Sequence, residues 1–171
     1  MIMSASTRAS ARDLVGSVLD PEMPILTLTE LGIVRRVEVT EENHVVVTIT
    51  PTYSGCPAIA AMRVDIENTL RRNGYAQVRI DTSLAPAWST DWITDEGRRK
   101  LREFGYSLPA PAPTRTSGPT PLTLTARPRD LVCPNCGSAH VRLVSEFGAT
   151  LCKAQYRCTT CLEPFDHVKE I

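Results

Sequence analysis

Residues 44–74 read HVVVTITPTYSGCPAIAAMRVDIENTLRRNG, and the way this stretch divides decides the fold. Six of the first seven residues are β-branched and form an apolar alternating run, the pattern of a strand. Beyond Pro57 the period changes. Ile59, Met62, Ile66 and Leu70 recur at three- and four-residue steps, which puts them on one face of a helix. Pro57 suits the first helical turn, where its missing N–H has no partner to lose, and Asn73-Gly74 suits the stop. The corner between, TPTYSGCP (50–57), carries Cys56. Two readings are open there: a small buried hydrophobe, or a thiol presented at or beside the helix N-cap. In the second, unpaired N–H groups and the helix dipole favour thiolate and lower the pKa from about 8.5. Thr50, Thr52, Tyr53 and Ser54 surround the thiol with hydroxyls.

Working outward, TRASARDLVGSVL (7–19) has amphipathic helix spacing, with Ser6 or Thr7 as its cap, and DPEMP (20–24) ends it. TLTELGIV (27–34) has room for one helical turn before the chain extends. IVRRVEV (33–39) is a strand joined to HVVVTIT by TEEN (40–43), a turn of hairpin length. AQVRIDTSL (76–84) alternates as a third strand. Trp88 and Trp92 follow in a turn, where they close the core or face a partner. TDEGRRKLREFG (94–105) is a last helix capped by Thr94. The order α-β-β-α-β-α over residues 1–106 predicts an α+β domain, a small mixed β-sheet with helices on one face.

From Leu108 the composition shifts to LPAPAPTRTSGPTPLTLTARPRD, dense in Pro, Ala and Thr, so residues 107–130 read as an extended linker. LTLT (122–125) has the pattern of a short strand within it. Residues 131–171 form a second unit dominated by cysteine. The chain has 171 residues, 42% of them hydrophobic and 22% charged, with 19 basic and 19 acidic side chains. That balance gives no global pull toward nucleic acid or an anionic membrane. No run approaches the roughly 20 apolar residues of a membrane span, and the N-terminus lacks a signal-type apolar segment. The expected location is cytoplasmic, where thiols stay reduced, so six cysteines point to metal or thiol chemistry rather than disulfides.

CPNC (133–136) and CTTC (158–161) are the strongest chemical signal. Each Cys-x-x-Cys wraps one side of a metal, and the pair completes a tetrahedron of thiolates about 2.3 Å from the ion. AHVRLVSEFG and CKAQYRC between them form the arms of a hairpin, so the unit reads as a zinc ribbon. Cys133, Cys136, Cys158 and Cys161 hold a structural Zn2+, because four sulfurs leave no position for substrate; iron of the rubredoxin type is the competing occupant. So short a unit buries too little surface to fold without the metal. Cys152 is left over: a buried strand residue, or an exposed second thiol beside Lys153. His140 follows a knuckle, and His167 reads as a surface residue. Asp20 and Glu22 form an acidic loop, either a solvated turn or carboxylates that fold back toward Cys56.

DPEMPILTLTELGIV followed by VTITPTYSGCP and an immediate helix resembles the iron–sulfur assembly domain shared by SufT-type and eukaryotic cytosolic cluster-targeting proteins. The signature loops of that family fall here on Asp20, Pro21 and Glu22, and on Thr52 to Pro57. With the proline-rich linker and the tail CPNCGSAHVRLVSEFGATLCKAQYRCTTCLEPFDHVK, the chain resembles the PaaD family of small subunits encoded with phenylacetyl-CoA epoxidase. The resemblance implies a non-catalytic accessory protein of aerobic phenylacetate degradation. Such a protein assists assembly or maintenance of iron–sulfur or iron centres, with Cys56 as a transient ligand and Asp20, Glu22 and Thr52 in support. The implied partners are the reductase or oxygenase components of the epoxidase. A single thiolate cannot hold a cluster, so a homodimer apposing two Cys56 residues, Cys152, or a client must supply the rest.

The chain itself has no pair of Glu-x-x-His motifs for a di-iron site and no dinucleotide-binding glycine fingerprint, in keeping with that division of labour. Two other classes compete. One is a thiol-dependent enzyme with Cys56 as nucleophile and His44 as a partner in space. The other is a zinc-ribbon module binding protein or nucleic acid, against which the balanced charge and the few ribbon aromatics argue.

Overall fold

A computed structural model describes residues 10–108 and 131–169. The chain divides between Lys100 and Leu101 into two compact units.

In the first unit, α1 (Ala11–Gly16) precedes β1 (Val34–Val39), β2 (His44–Ile49), α2 (Ile59–Arg72) and β3 (Gln77–Thr82), and α3 (Asp95–Glu103) begins after a 3-10 turn at Thr90–Trp92. β1 and β2 form an antiparallel hairpin, while β3 returns parallel to β2, giving the order β1-β2-β3. The parallel pairing follows from the connection, since only a long crossover such as α2 brings a strand back in the same direction. The expected mixed sheet with helices is present. Val45, Val47 and Ile49 of β2 are fully buried, as are Met62, Ile66 and Leu70 on one face of α2. Each such side chain contributes about 1.5–3 kcal/mol when removed from water. α1 packs on β1 and α2, and α2 packs on β3.

The ends of these elements differ from the sequence expectation in two places. The first helix is shorter than residues 7–19: it is capped by Ser10, whose hydroxyl accepts from the Asp13 N–H at 3.1 Å. The Ser6 or Thr7 cap lies outside the described residues. α2 begins at Ile59 rather than Pro57, because Cys56 and Pro57 sit in preceding turns closed by Cys56 N–H to Tyr53 O and Ile59 N–H to Cys56 O. The single turn expected in TLTELGIV is present, closed by Leu31 N–H to Thr27 O. It is a reciprocal cap, with Thr27 N–H on Glu30 Oε2 (2.8 Å) and Glu30 N–H on Thr27 Oγ1 (3.1 Å). Thr94 caps α3 through Gly97 N–H at 3.1 Å.

In the second unit β4 (Val141–Ser145), β5 (Lys153–Cys158) and β6 (Pro164–Val168) form an antiparallel sheet in sequence order. The expected hairpin is β4–β5; β6 is a third strand that the sequence reading did not single out. Leu131, Cys133, Ala154, Tyr156, Cys158 and Phe165 make the small core, with Tyr156 and Phe165 stacked at 6.0 Å. Ser107, assigned by composition to the linker, pairs with β6: its N–H donates to Asp166 O and its carbonyl accepts from Val168 N–H. The LTLT segment lies outside the described residues. No helix among the described residues is long and apolar enough to cross a membrane.

Candidate metal centre

The two knuckles converge. Cys133 Sγ lies 3.7 Å from Cys161 Sγ, Cys136 Sγ lies 3.6 Å from Cys158 Sγ, and all four sulfurs fall within 4.8 Å of one another. Four thiolates about 2.3 Å from a common zinc ion would stand about 3.8 Å apart, so the cage fits that metal. The first knuckle turns through Gly137, at φ +71°, and is closed by Gly137 N–H to Cys133 O and Cys133 N–H to Ser138 O. In the second, the N–H groups of Thr160 and Cys161 point at Cys158 Sγ at 3.3 and 3.5 Å. The knuckles are tied together by the Ser138–Thr160 hydroxyl pair at 2.8 Å and by Thr159 on the His140 carbonyl. Sequence reasoning missed these ties, since Ser and Thr are ordinary turn residues. His140 stands outside the four-sulfur group.

The same geometry separates the thiols electrostatically. The Cys161 amide pulls the Cys158 thiol down against desolvation, with the Thr160 amide adding to it, to about 6. The Ser138 amide pulls Cys136 down as well, yet desolvation and the Cys161, Cys158 and Cys133 sulfurs push it up to about 12. Four adjacent anions cannot coexist without a cation among them, so loading a metal expels protons.

All six cysteines are thiols. Cys56 is only 7% exposed, though Gly55 and Pro57 on either side of it are exposed. It lies three residues before the first helical residue, so the expectation of an N-cap position gives way to a turn position. The helix is capped instead by Ala58, which has no side-chain acceptor. Asp20 is buried, and its Oδ1 accepts from the Glu22 and Met23 amides at 2.9 and 2.6 Å. The acidic loop is thus organised around its own backbone rather than being a solvated turn. Glu22 and Thr52 are half-buried. His44 opens β2 and pairs with Glu42 at 3.6 Å, whereas Cys56 follows the other end of that strand. Five steps of about 3.3 Å separate the two ends, which sets His44 away from the end where the chain leaves for Cys56.

Cys152 is buried, with its sulfur 3.1 Å from Thr150 Oγ1, so the exposed-thiol reading gives way to the buried one. His167, expected at the surface, is only 2% exposed. It stands edge-on to Tyr156, with Nδ1 3.4 Å from Ser107 Oγ, because β6 lies between β5 and the Ser107 bridge. Trp88 closes the core and donates its indole N–H to Leu31 O at 2.9 Å.

Fold and cage together define an α+β domain of the iron–sulfur assembly type carried in one chain with a four-cysteine zinc ribbon. The family model described as "Iron-sulfur cluster assembly protein" matches residues 8–81, and that described as "PaaD zinc beta ribbon domain" matches residues 117–169. The chain is 44% identical over 156 residues to the D subunit of the putative 1,2-phenylacetyl-CoA epoxidase of Escherichia coli, covering 91% of this chain and 88% of that one. It is 33% identical over 89 residues to the Porphyromonas gingivalis "Fe-S protein maturation auxiliary factor", 50% of this chain and 81% of that one. A solved domain of unknown function, DUF59 from Bacillus anthracis, superposes with a TM-score of 0.51 at 26% identity, covering 53% of this chain and 87% of that one. The chain belongs to the PaaD family, whose zinc beta ribbon it carries over residues 117–169.

Proposed function

We propose that this protein is a non-catalytic accessory factor of aerobic phenylacetate degradation that helps assemble or maintain an iron–sulfur or iron centre in the phenylacetyl-CoA epoxidase system. The observation that supports it most is the pairing in one chain of an iron–sulfur assembly domain and a PaaD zinc ribbon, with similarity to an epoxidase component across 91% of its length. The maturation role in the name of the Porphyromonas relative points the same way. The ribbon holds structural Zn2+ in its four sulfurs and leaves the cargo to the first unit, whose one thiol is Cys56.

Cys56 acts as a transient ligand to iron or a cluster. One thiolate supplies a quarter of a usual cluster's ligands, so the complete set forms only with a second chain, either a client component or another copy. Burial of the thiol keeps it from oxidation until a partner opens the corner between Tyr53 and Ile59. Asp20 holds the DPEMP loop in shape, and Glu22 and Thr52 support the site. The protein works in the cytoplasm alongside the reductase or oxygenase component.

The test is made in cells that express the epoxidase components with the wild-type chain, with Cys56→Ser, or with no chain. Iron and acid-labile sulfide are measured in the purified components. Cys56→Ser is expected to keep its zinc and its melting curve while lowering client iron. Full client iron with Cys56→Ser removes the ligand role; full client iron without the chain removes the accessory role itself.

A further inference from the structure

A groove of about 450 Å³ runs between α1 and β1, and Arg12, Arg35 and Arg36 face it along with Gly16, Val34 and Val37. Two features make it more than a charged surface. The first is a β-bulge: Val34 pairs with Ile49 and Arg36 with Thr48, so Arg35 is the extra residue. The bulge breaks alternation and leaves Arg35 and Arg36 both exposed beside the groove. The second is a support for Arg35. Its guanidinium carbon lies 3.6 Å from the centre of the Trp92 ring, a close cation–π contact beside an exposed side chain. Gly32 makes that support possible. It has φ +70°, and a Cβ there would stand 2.5 Å from both Cβ and the carbonyl oxygen of Trp92.

The charges are unequally spent. Arg36 pairs with Glu38 at 2.6 Å, and Asp13, the acid lining the groove, is engaged by the Ser10 hydroxyl at 2.6 Å. Arg12 and Arg35 have no acidic partner among the described residues. Gly16 has no side chain to fill the space in front of Thr29, and Val34 and Val37 give the floor an apolar part. An oxyanion between two guanidinium groups gains charge-assisted hydrogen bonds, and an apolar body behind it gains burial.

We propose that this groove binds a small organic anion, a carboxylate or phosphate on an apolar body, clasped by Arg12 and by Arg35 on its Trp92 support. The proposal is independent of Cys56. The test titrates full-length protein with hexyl phosphate, hexanoate and hexanol, following heat by calorimetry and tryptophan emission by fluorescence. Saturable one-to-one binding of hexyl phosphate or hexanoate is expected, and hexanol is expected to be inert; the better anion identifies the head group. Arg12→Leu and Arg35→Leu should each weaken binding at least about tenfold, and Arg35→Lys should weaken it too because the flat fork is lost. Arg72→Leu should not. All three working variants alter exposed side chains, and an unchanged melting curve confirms folding. Saturation by neither anion, or equal binding by the Arg12→Leu/Arg35→Leu double variant, overturns the proposal.

Discussion

Cys136 Sγ and Cys158 Sγ lie 3.6 Å apart although 22 positions separate them in the chain. That distance suits two corners of one tetrahedron. The unit that brings them together leaves Val132, Leu143, Val144, Phe147, Leu151 and Leu162 exposed around so small a core that metal must supply much of its stability. Purified protein should therefore carry one zinc per chain. Cys158→Ser should release it and unfold the ribbon, as read by zinc content and by loss of amide protection in β4–β6, while α2 keeps its protection. Retention of stoichiometric zinc by that variant would contradict the cage.

Zinc affinity should fall with acid in two regimes. With Cys158 near 6 and Cys136 near 12, the metal at neutral pH meets one ionised thiol and one that must give up its proton. Below about 6 Cys158 is protonated as well, so zinc displaces a further proton and affinity drops more steeply per pH unit. Competition with a chromophoric chelator across this range measures the change of slope.

Glu30 pairs with Lys100 at 2.7 Å while accepting the Thr27 amide. Burial opposes its charge, but the Lys100 ammonium and the Thr27 cap hold its carboxyl below the ordinary 4.5. A lowered folded pKa gives stability that is present above 4.5 and lost as pH falls through the folded value. Glu30→Gln should cost about 1 kcal/mol at pH 7, and the difference from wild type should shrink in acid. Paired urea melts at pH 7 and pH 3 decide it.

Gly32→Ala should destabilise the first unit by about 3 kcal/mol or more, since positive φ and a backbone clash act together. The clash is with Trp92, so the variant should also shift Trp92 fluorescence. A melting temperature equal to wild type would show that the Trp92 turn yields without cost.

In zinc-loaded protein Cys56 and Cys152 are the two thiols outside the cage, and both are buried. Iodoacetamide should label each at least about tenfold more slowly in the native state than in denaturant. Rapid native labelling of Cys56, located by peptide mass mapping, would show that the corner is open without a partner.

Much of the fold could be read from residue order. The β2–α2 division at Cys56, the TEEN hairpin, the Asn73-Gly74 stop and the paired Cys-x-x-Cys knuckles are local signals, carried by period, turn chemistry and spacing. Less legible were the elements whose role depends on a distant neighbour. Five residues from Pro164 to Val168 are too short to declare a strand, and only their pairing with β5 makes them one. His167 looked like a surface residue near a chain end and is buried by that same pairing. Asp20 looked like a solvated acid, yet its carboxylate caps the backbone of its own loop.

By itself the sequence determined the α+β class, the four metal-binding sulfurs and the place of Cys56 between strand and helix, because each depends on covalent spacing or on a side-chain period. Tertiary structure alone decided that Cys56 is covered, that His44 stands at the far end of its strand, and that Trp92 lies under Arg35. Burial and through-space contact depend on which surfaces meet after the chain has turned back on itself. No local pattern of residues records that meeting.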